Sequence, residues 1–242
     1  MDKEEEITLL KKQLQQTKDS FEQFAYSVSH DMREPVRMVK SFMDLLLRKY
    51  SESLDEKATS YVGFASEGAG RADLMIQDLL FYYRSVRGME YQPADLNLSV
   101  EGALSKLKAK LEARQAIINT KPLPQVMGDT AGLQEVFVYL LDHLVQQVPL
   151  TEIPVIVIEA TMEGHHWTIS CSANGSTPET GELRDLFRLF YNRAQQPSAD
   201  STLNKLAVAK RIVEHLNGEL LATEAKTGGV QFLINLPAVK SA

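Results

Sequence analysis

The chain has 242 residues, 44% of them hydrophobic and 24% charged, an ordinary mixture for a globular protein of one or two domains. A net charge of −6 argues against a nucleic-acid binder, and no apolar run reaches the roughly 18 residues that a membrane span requires. The acidic start MDKEEE lacks the apolar segment of a secretory leader, and the single cysteine, Cys171, allows no internal disulfide and reads as a buried strand residue, so a cytoplasmic location is expected.

Residues 4 to 28 carry Ile7, Leu10, Leu14, Thr17, Phe21, Phe24 and Val28 at alternating spacings of three and four. That is the seam of a two-stranded coiled coil with Thr17 as its weak position; the plainer alternative is an amphipathic helix folded onto its own domain. The seam runs into FAYSVSHDMREPVRM, residues 24 to 38, where helical periodicity continues through Val28, Val36 and Val39. Pro35 lies inside this helix, where it removes the bond to the Asp31 carbonyl at a cost of roughly 3 kcal/mol. His30 lies one turn earlier, with Arg33, Glu34 and Arg37 on its face at steps of three, four and seven. An imidazole beside guanidinium groups has the chemistry to accept a phosphoryl group and hold its oxygens.

The first helix is expected to end near Tyr50, SESLD to form a capped loop, and a second helix to run from about Asp55 to Arg87. Its apolar face reads as Ala58, Tyr61, Ala65, Ala69, Ala72, Ile76, Leu79 and Tyr83, with Gly63, Gly68 and Gly70 inside it. Two such helices make a hairpin that cannot bury its own apolar surface. Two hairpins make a four-helix bundle, so a homodimer is expected.

The His-Asp pair followed by Pro35 and a hairpin of this length resembles the phosphoacceptor box of sensor histidine kinases, especially the phytochrome type. The resemblance covers about 220 residues, more weakly toward the end. It implies that His30 is the phosphoacceptor and that Asp31 orients it. It implies further that residues 1–22 are a coiled-coil lead-in, 23–88 the dimerisation and acceptor hairpin, and 94–242 an ATPase-type domain. The expected fold class is therefore α+β, a dimeric four-helix bundle followed by an α/β sandwich.

Gly88 to Pro93 reads as a linker, after which the period changes. Helices are expected near 97–113, 130–147, 182–191 and 203–217, and strands near 115–120, 154–161, 165–172, 219–224 and 230–236. The resemblance places four nucleotide motifs on this second domain. In GDTAGLQEVFVYLLDHLVQQ the family's two asparagines fall on Tyr139 and His143 and its lysine on Gln146. An imidazole is a poor substitute for the oxygen that magnesium prefers. The adenine-reading aspartate is replaced by Ala173, in Ala173-Asn174-Gly175-Ser176-Thr177, a loss worth about 1.5 to 3 kcal/mol. The phenylalanine motif survives as LFRLFYNR, where Phe187 and Phe190 also suit a plain core role. The phosphate-binding glycines are replaced by Ser201-Thr202-Leu203-Asn204-Lys205, although LAVAKRIVEHLNGEL after them matches closely.

Three independent parts of one nucleotide site are thus changed, and ATP is not expected as a cofactor. His165, His166 and His215 show no metal-ligand spacing. The leading expectation is a phosphotransfer protein exchanging a phosphoryl group between His30 and the aspartate of a response-regulator receiver, which itself supplies Mg²⁺. The alternatives are an ATP-dependent sensor kinase with a divergent site and a non-enzymatic pseudokinase that binds a partner kinase or receiver. An upstream sensor domain is a further expected partner. A phosphatase role is disfavoured, because the family's helper Thr or Asn position is Glu34.

Overall fold

The computed structural model describes residues 3–176, 183, 185–189, 205–226 and 228–239. The described residues divide into two compact units, the first ending at Arg84 and the second beginning at Ser85. No helix among the described residues is long and apolar enough to cross a membrane.

The first unit is a helical hairpin. α1 runs Lys3–Tyr50 and α2 runs Glu56–Arg84. At 1.5 Å per residue, α1 is about 72 Å long. It passes through Pro35 without interruption, and Arg48 and Lys49 sit favourably in its last turn. Two N–H groups, of Ser53 and Leu54, return to the Tyr50 carbonyl and close the helix. Asp55 caps α2, accepting from the Ala58 N–H at 2.7 Å, so the SESLD segment is a capped turn. The second helix stops at Arg84, three residues short of its expected end.

Polar ties link the two helices along their length. Arg84 Nη2 donates to the Tyr26 hydroxyl at 2.7 Å and its guanidinium stacks over that ring. Arg33 bonds Asp73, and the Ser66 hydroxyl donates to Asp44, which also accepts from Lys40. Lys40 and the Ser66 bond together hold the Asp44 carboxyl below the usual carboxylate range. Few apolar side chains are buried here, Ile76 and Leu80 among them, while Met38, Val39, Phe42, Phe64 and Phe81 stay exposed. Tyr61, read as part of the packed face of α2, is 68% exposed, and Ala65 is exposed too. One hairpin covers only part of the stripe that the periodicity marks.

The second unit places helices against a five-stranded sheet ordered β2-β4-β5-β7-β6. The strands are β2 Ile117–Thr120, β4 Val155–Glu163, β5 His166–Ala173, β6 Glu219–Glu224 and β7 Val230–Pro237. β2 and β4 are parallel and the other neighbours antiparallel. α3 (Leu96–Ala113), α4 (Thr130–Gln147) and α5 (Lys205–His215) follow the expected spans closely. Alternation along the strands sends Ile156, Ile158, Ile169, Cys171, Phe232 and Ile234 into a core with Leu133, Phe137, Leu140 and Leu144 of α4. Burial pushes the Cys171 thiol up to about 12, which leaves it an inert core residue.

The sequence reading missed a second, two-stranded sheet. β1 (Gln92–Asp95) pairs antiparallel with β3 (Gln125–Gly128). The segment read as a linker therefore ends inside a strand, and its neighbour Glu90 donates its N–H to Asp129, the α4 N-cap. Of the helix expected near 182–191, residues 183 and 185–189 are described, helical at 183 and 185 and turning from 186 onward, whereas the loop 201–204 lies outside the described residues.

Arg114 ends α3 and holds the far end of α4. Its guanidinium donates to the carbonyls of Val145, Val148 and Pro149 at 3.3, 3.0 and 3.0 Å. Val145 in the last turn and Val148 at the C-cap carry carbonyls that a helix terminus leaves without intrahelical partners, and the Pro149 carbonyl also accepts from the Glu152 N–H. Arg114→Ala is expected to destabilise this unit by about 2–3 kcal/mol, read by urea unfolding through the lone tryptophan, Trp167 on β5. Arg114→Lys should recover little, because a compact ammonium lacks the planar fork that reaches the carbonyls of Val145, Val148, Pro149 and Glu152 together. An unchanged midpoint for Arg114→Ala would show that the clamp is idle.

Candidate functional site

His30 stands on α1 with its side chain 72% exposed. Its Nδ1 lies 3.3 Å from Asp31 Oδ1. Neighbouring helix positions point about 100° apart, so this contact depends on both side chains bending toward one another. With Nδ1 turned to the carboxylate, Nε2 is the nitrogen available to a reacting group, and a proton on Nδ1 is the tautomer this contact favours.

The three other residues singled out on this face behave differently. Arg33 donates from Nε to Asp73 Oδ1 of α2 at 3.1 Å. Asp73 Oδ2 accepts from Gln77 Nε2 at 2.7 Å. Glu34 and Arg37 are exposed and make no hydrogen bond or ion pair among the described residues. The structure thus brings His30 and Asp31 together, engages Arg33 with α2, and leaves Arg37 facing solvent. Asp73 escaped the sequence reading, since it meets Arg33 only when the hairpin closes, and Gln77 joins them only through Asp73.

The second set of positions lies on the sheet unit. Tyr139 and His143 are one turn apart on α4. The Tyr139 hydroxyl bonds Glu135, and burial pushes it up to about 12. Glu135 in turn pairs with Lys106 of α3. Burial lowers the His143 imidazole to about 4, against a smaller opposing effect of Asp142. Its Nε2 is buried with no hydrogen-bond partner, and its ring packs edge-on to Phe232 at 5.7 Å. Phe187 meets the same Phe232 ring at 6.2 Å and lies under Lys210. A neutral ring in an aromatic cluster is a core arrangement and a poor magnesium ligand. Neighbouring Asp142 is taken by Lys110 and Gln146.

Ala173 is buried at the end of β5. Asn174 serves the fold: its Oδ1 accepts from the Val155 N–H at 2.7 Å and its Nδ2 donates to the Ile153 carbonyl at 3.1 Å. Gly175 has φ +140°, and Gly229 has φ +82° with its α-carbon so close that a Cβ would lie 2.6 Å from the Ala173 carbonyl oxygen. Both glycines are therefore demanded by their turns whether or not a nucleotide binds. Lys205 opens α5, its ammonium 6.0 Å from the centre of the Tyr139 ring. Ser201 and Leu203 lie outside the described residues. No cluster of three His, Cys, Asp or Glu side chains able to hold a metal occurs among the described residues.

Two family profiles match the chain. Residues 22–88 match the His Kinase A (phospho-acceptor) domain, and residues 128–240 match the histidine kinase-, DNA gyrase B- and HSP90-like ATPase. Among curated proteins it is 27% identical to the phytochrome-like protein Cph1 of Synechocystis sp. over 96% of the chain and 31% of that protein. It is 26% identical to cyanobacterial phytochrome A of Nostoc sp., over 96% of the chain and 30% of that protein. The chain thus spans about a third of these relatives. Among solved structures, full-length ShkA in complex with AMPPNP aligns with a TM-score of 0.59 at 18% identity, covering 91% of this chain and 47% of that one. The Acinetobacter baumannii histidine kinase AdeS aligns with a TM-score of 0.54 at 16% identity, covering 87% and 98%. These structures share its fold, a long hairpin followed by an ATPase-type sheet domain.

Proposed function

Since this chain is the catalytic region of a sensor histidine kinase, an acceptor hairpin followed by an ATPase-type domain, we propose that it works by histidine phosphotransfer without using ATP. His30 receives a phosphoryl group from the aspartyl phosphate of one receiver and passes it to another. The observation that carries this reading is a contrast between its two sites. The acceptor imidazole is exposed and paired with Asp31, whereas the imidazole at the magnesium position, His143, is buried against Phe232.

In the transfer, the lone pair of Nε2 attacks phosphorus, the acyl P–O bond breaks, and the receiver carboxylate leaves. The ring gains positive charge, and Asp31 at Nδ1 stabilises it until the proton is released. The receiver brings its own Mg²⁺, so the hairpin contributes the nucleophile, its orientation and the neighbouring positive charge. Two incubations test this: labelled ATP with Mg²⁺, and a labelled phosphorylated receiver. Label from the receiver alone is the expected result. Label from ATP alone would instead establish an ATP-dependent kinase, the reading favoured by the ATPase profile over residues 128–240.

The same reading calls for a parallel homodimer held by residues 5 to 87. Phe24, 64% exposed in the single chain, sits on the expected seam. Phe24→Asp is expected to shift the protein from dimer to monomer at micromolar concentration in light scattering, because each seam would bury an unpaired carboxylate. A Phe24→Asp protein that remains fully dimeric would remove this residue from the interface.

A further inference from the structure

Arg33 is held in an unusual way for an ion pair that only ties two helices together. The strongest such pair uses Nε and one Nη of the guanidinium against both oxygens of a carboxylate. Here Asp73 Oδ1 takes Nε alone, at 3.1 Å, and Asp73 Oδ2 is occupied by Gln77 Nε2 at 2.7 Å. Among the described residues, nothing accepts a hydrogen bond from the two Nη nitrogens of Arg33. One end of the system is sheltered, the Asp73 side chain being 20% exposed, and the other stands in solvent, with Arg33 45% exposed. Arg33 lies three residues beyond His30, about 4.5 Å farther along the axis on the same face.

We propose that Asp73 and Gln77 are positioning residues for phosphoryl transfer at His30, holding Arg33 by its Nε edge so that its Nη fork is presented to the phosphoryl oxygens. The proposal rests on the phosphotransfer reading of His30. As the bond to the leaving group lengthens and the Nε2–P bond forms, negative charge is spread over three peripheral oxygens. A guanidinium already fixed at Nε meets that charge without first ordering a long side chain. Gln77 has its own part, since by occupying Oδ2 it prevents Asp73 from drawing an Nη inward.

The test uses the full chain and two phosphoryl donors, a phosphorylated receiver and potassium phosphoramidate. The second needs no partner protein: its P–N bond breaks, ammonia leaves with the imidazole proton, and phosphohistidine forms. Asp73→Asn is expected to slow labelling of His30 about tenfold with either donor, lowering the maximal rate and leaving the half-saturating receiver concentration unchanged. Gln77→Leu should slow it less, and in the Arg33→Ala background Asp73→Asn should add no further loss. A purely structural tie would instead lower the melting temperature and leave the rate alone. Wild-type rates in Asp73→Asn and Gln77→Leu, additive losses in the double variant, or no phosphoramidate label on His30 would overturn the proposal. If Asp73→Asn lost its helix content, an unchanged Gln77→Leu rate would decide against it alone. If phosphoramidate labelling depends on Asp73 while no receiver labels the protein, the positioning role stands and the receiver reading falls. If a receiver labels the wild type and all the variants equally, the reverse holds.

Discussion

His30→Gln is expected to remove all of the acid-labile, base-stable phosphate that a phosphorylated receiver places on this protein, while leaving the dimer and its melting temperature unchanged. The side chain is 72% exposed and makes no packing contact whose loss would be felt. Its partner among the described residues is Asp31, in an exposed contact of the kind that contributes little to stability. Glutamine keeps the length and polarity of the position and has no nucleophilic ring nitrogen. Asp31→Asn should retain the label and slow its arrival, about tenfold, because the carboxylate fixes the tautomer and supports the charge that develops on the ring. Arg37→Ala should slow it least, since Arg37 stands in solvent with no partner holding it toward the phosphoryl group among the described residues. The measurement is time-resolved transfer from a single labelled receiver. Label that persists in His30→Gln would place the acceptor elsewhere. If no receiver labels the wild type, the partner-binding pseudokinase takes the place of the phosphotransfer reading.

The parts of this protein that were legible in its sequence are those set by local periodicity. The long helix through Pro35 to Tyr50 shows in its spacing of three and four, and the strands of the five-stranded sheet show in runs such as VIVIEA and WTISCS. β1 and β3 did not show, because four residues such as Gln92–Asp95 carry no alternation and contain a proline, which reads as linker. His30 and Asp31 are singled out through the resemblance to the phosphoacceptor box, since adjacent helix positions diverge and spacing alone would not pair them. Asp73 is not, because it lies 40 residues from Arg33 and is joined to it only by the hairpin register. Tyr61 illustrates the converse: periodicity puts it on the packed face of α2, but the hairpin leaves it 68% exposed, because helical spacing marks a stripe and not how much of it the partner helix covers. Arg114 and Asn174 hold backbone carbonyls and N–H groups, and such partners leave no pattern in the sequence at all.

Isothermal calorimetry with ATP and Mg²⁺ is expected to find no saturable site below about 1 mM. The expectation rests on three separate changes that the family resemblance implies in the nucleotide site. At the magnesium position the imidazole of His143, lowered to about 4 by burial, is neutral at any ordinary pH and packed on Phe232, so it supplies no oxygen to the metal. At the adenine position Ala173 offers a methyl group in place of a carboxylate, a change worth about 1.5–3 kcal/mol, or ten- to a hundredfold. The third loss, of the glycines before α5, takes away a backbone that approaches phosphates closely. On the proposed reading, these changes together would take a micromolar site beyond the millimolar range. The features that survive do not argue the other way. Gly175 is needed by the turn at the end of β5 and Gly229 by the β6–β7 turn that packs against it, Phe187 completes an aromatic cluster with Phe232, and Asn174 anchors the start of β4. Each has a sufficient reason to be there in the fold alone. A micromolar dissociation constant would mean that the nucleotide is held by contacts unlike those the family motifs supply. His30 would then stand at the start of a phosphoryl pathway fed by ATP, with the receiver as its destination.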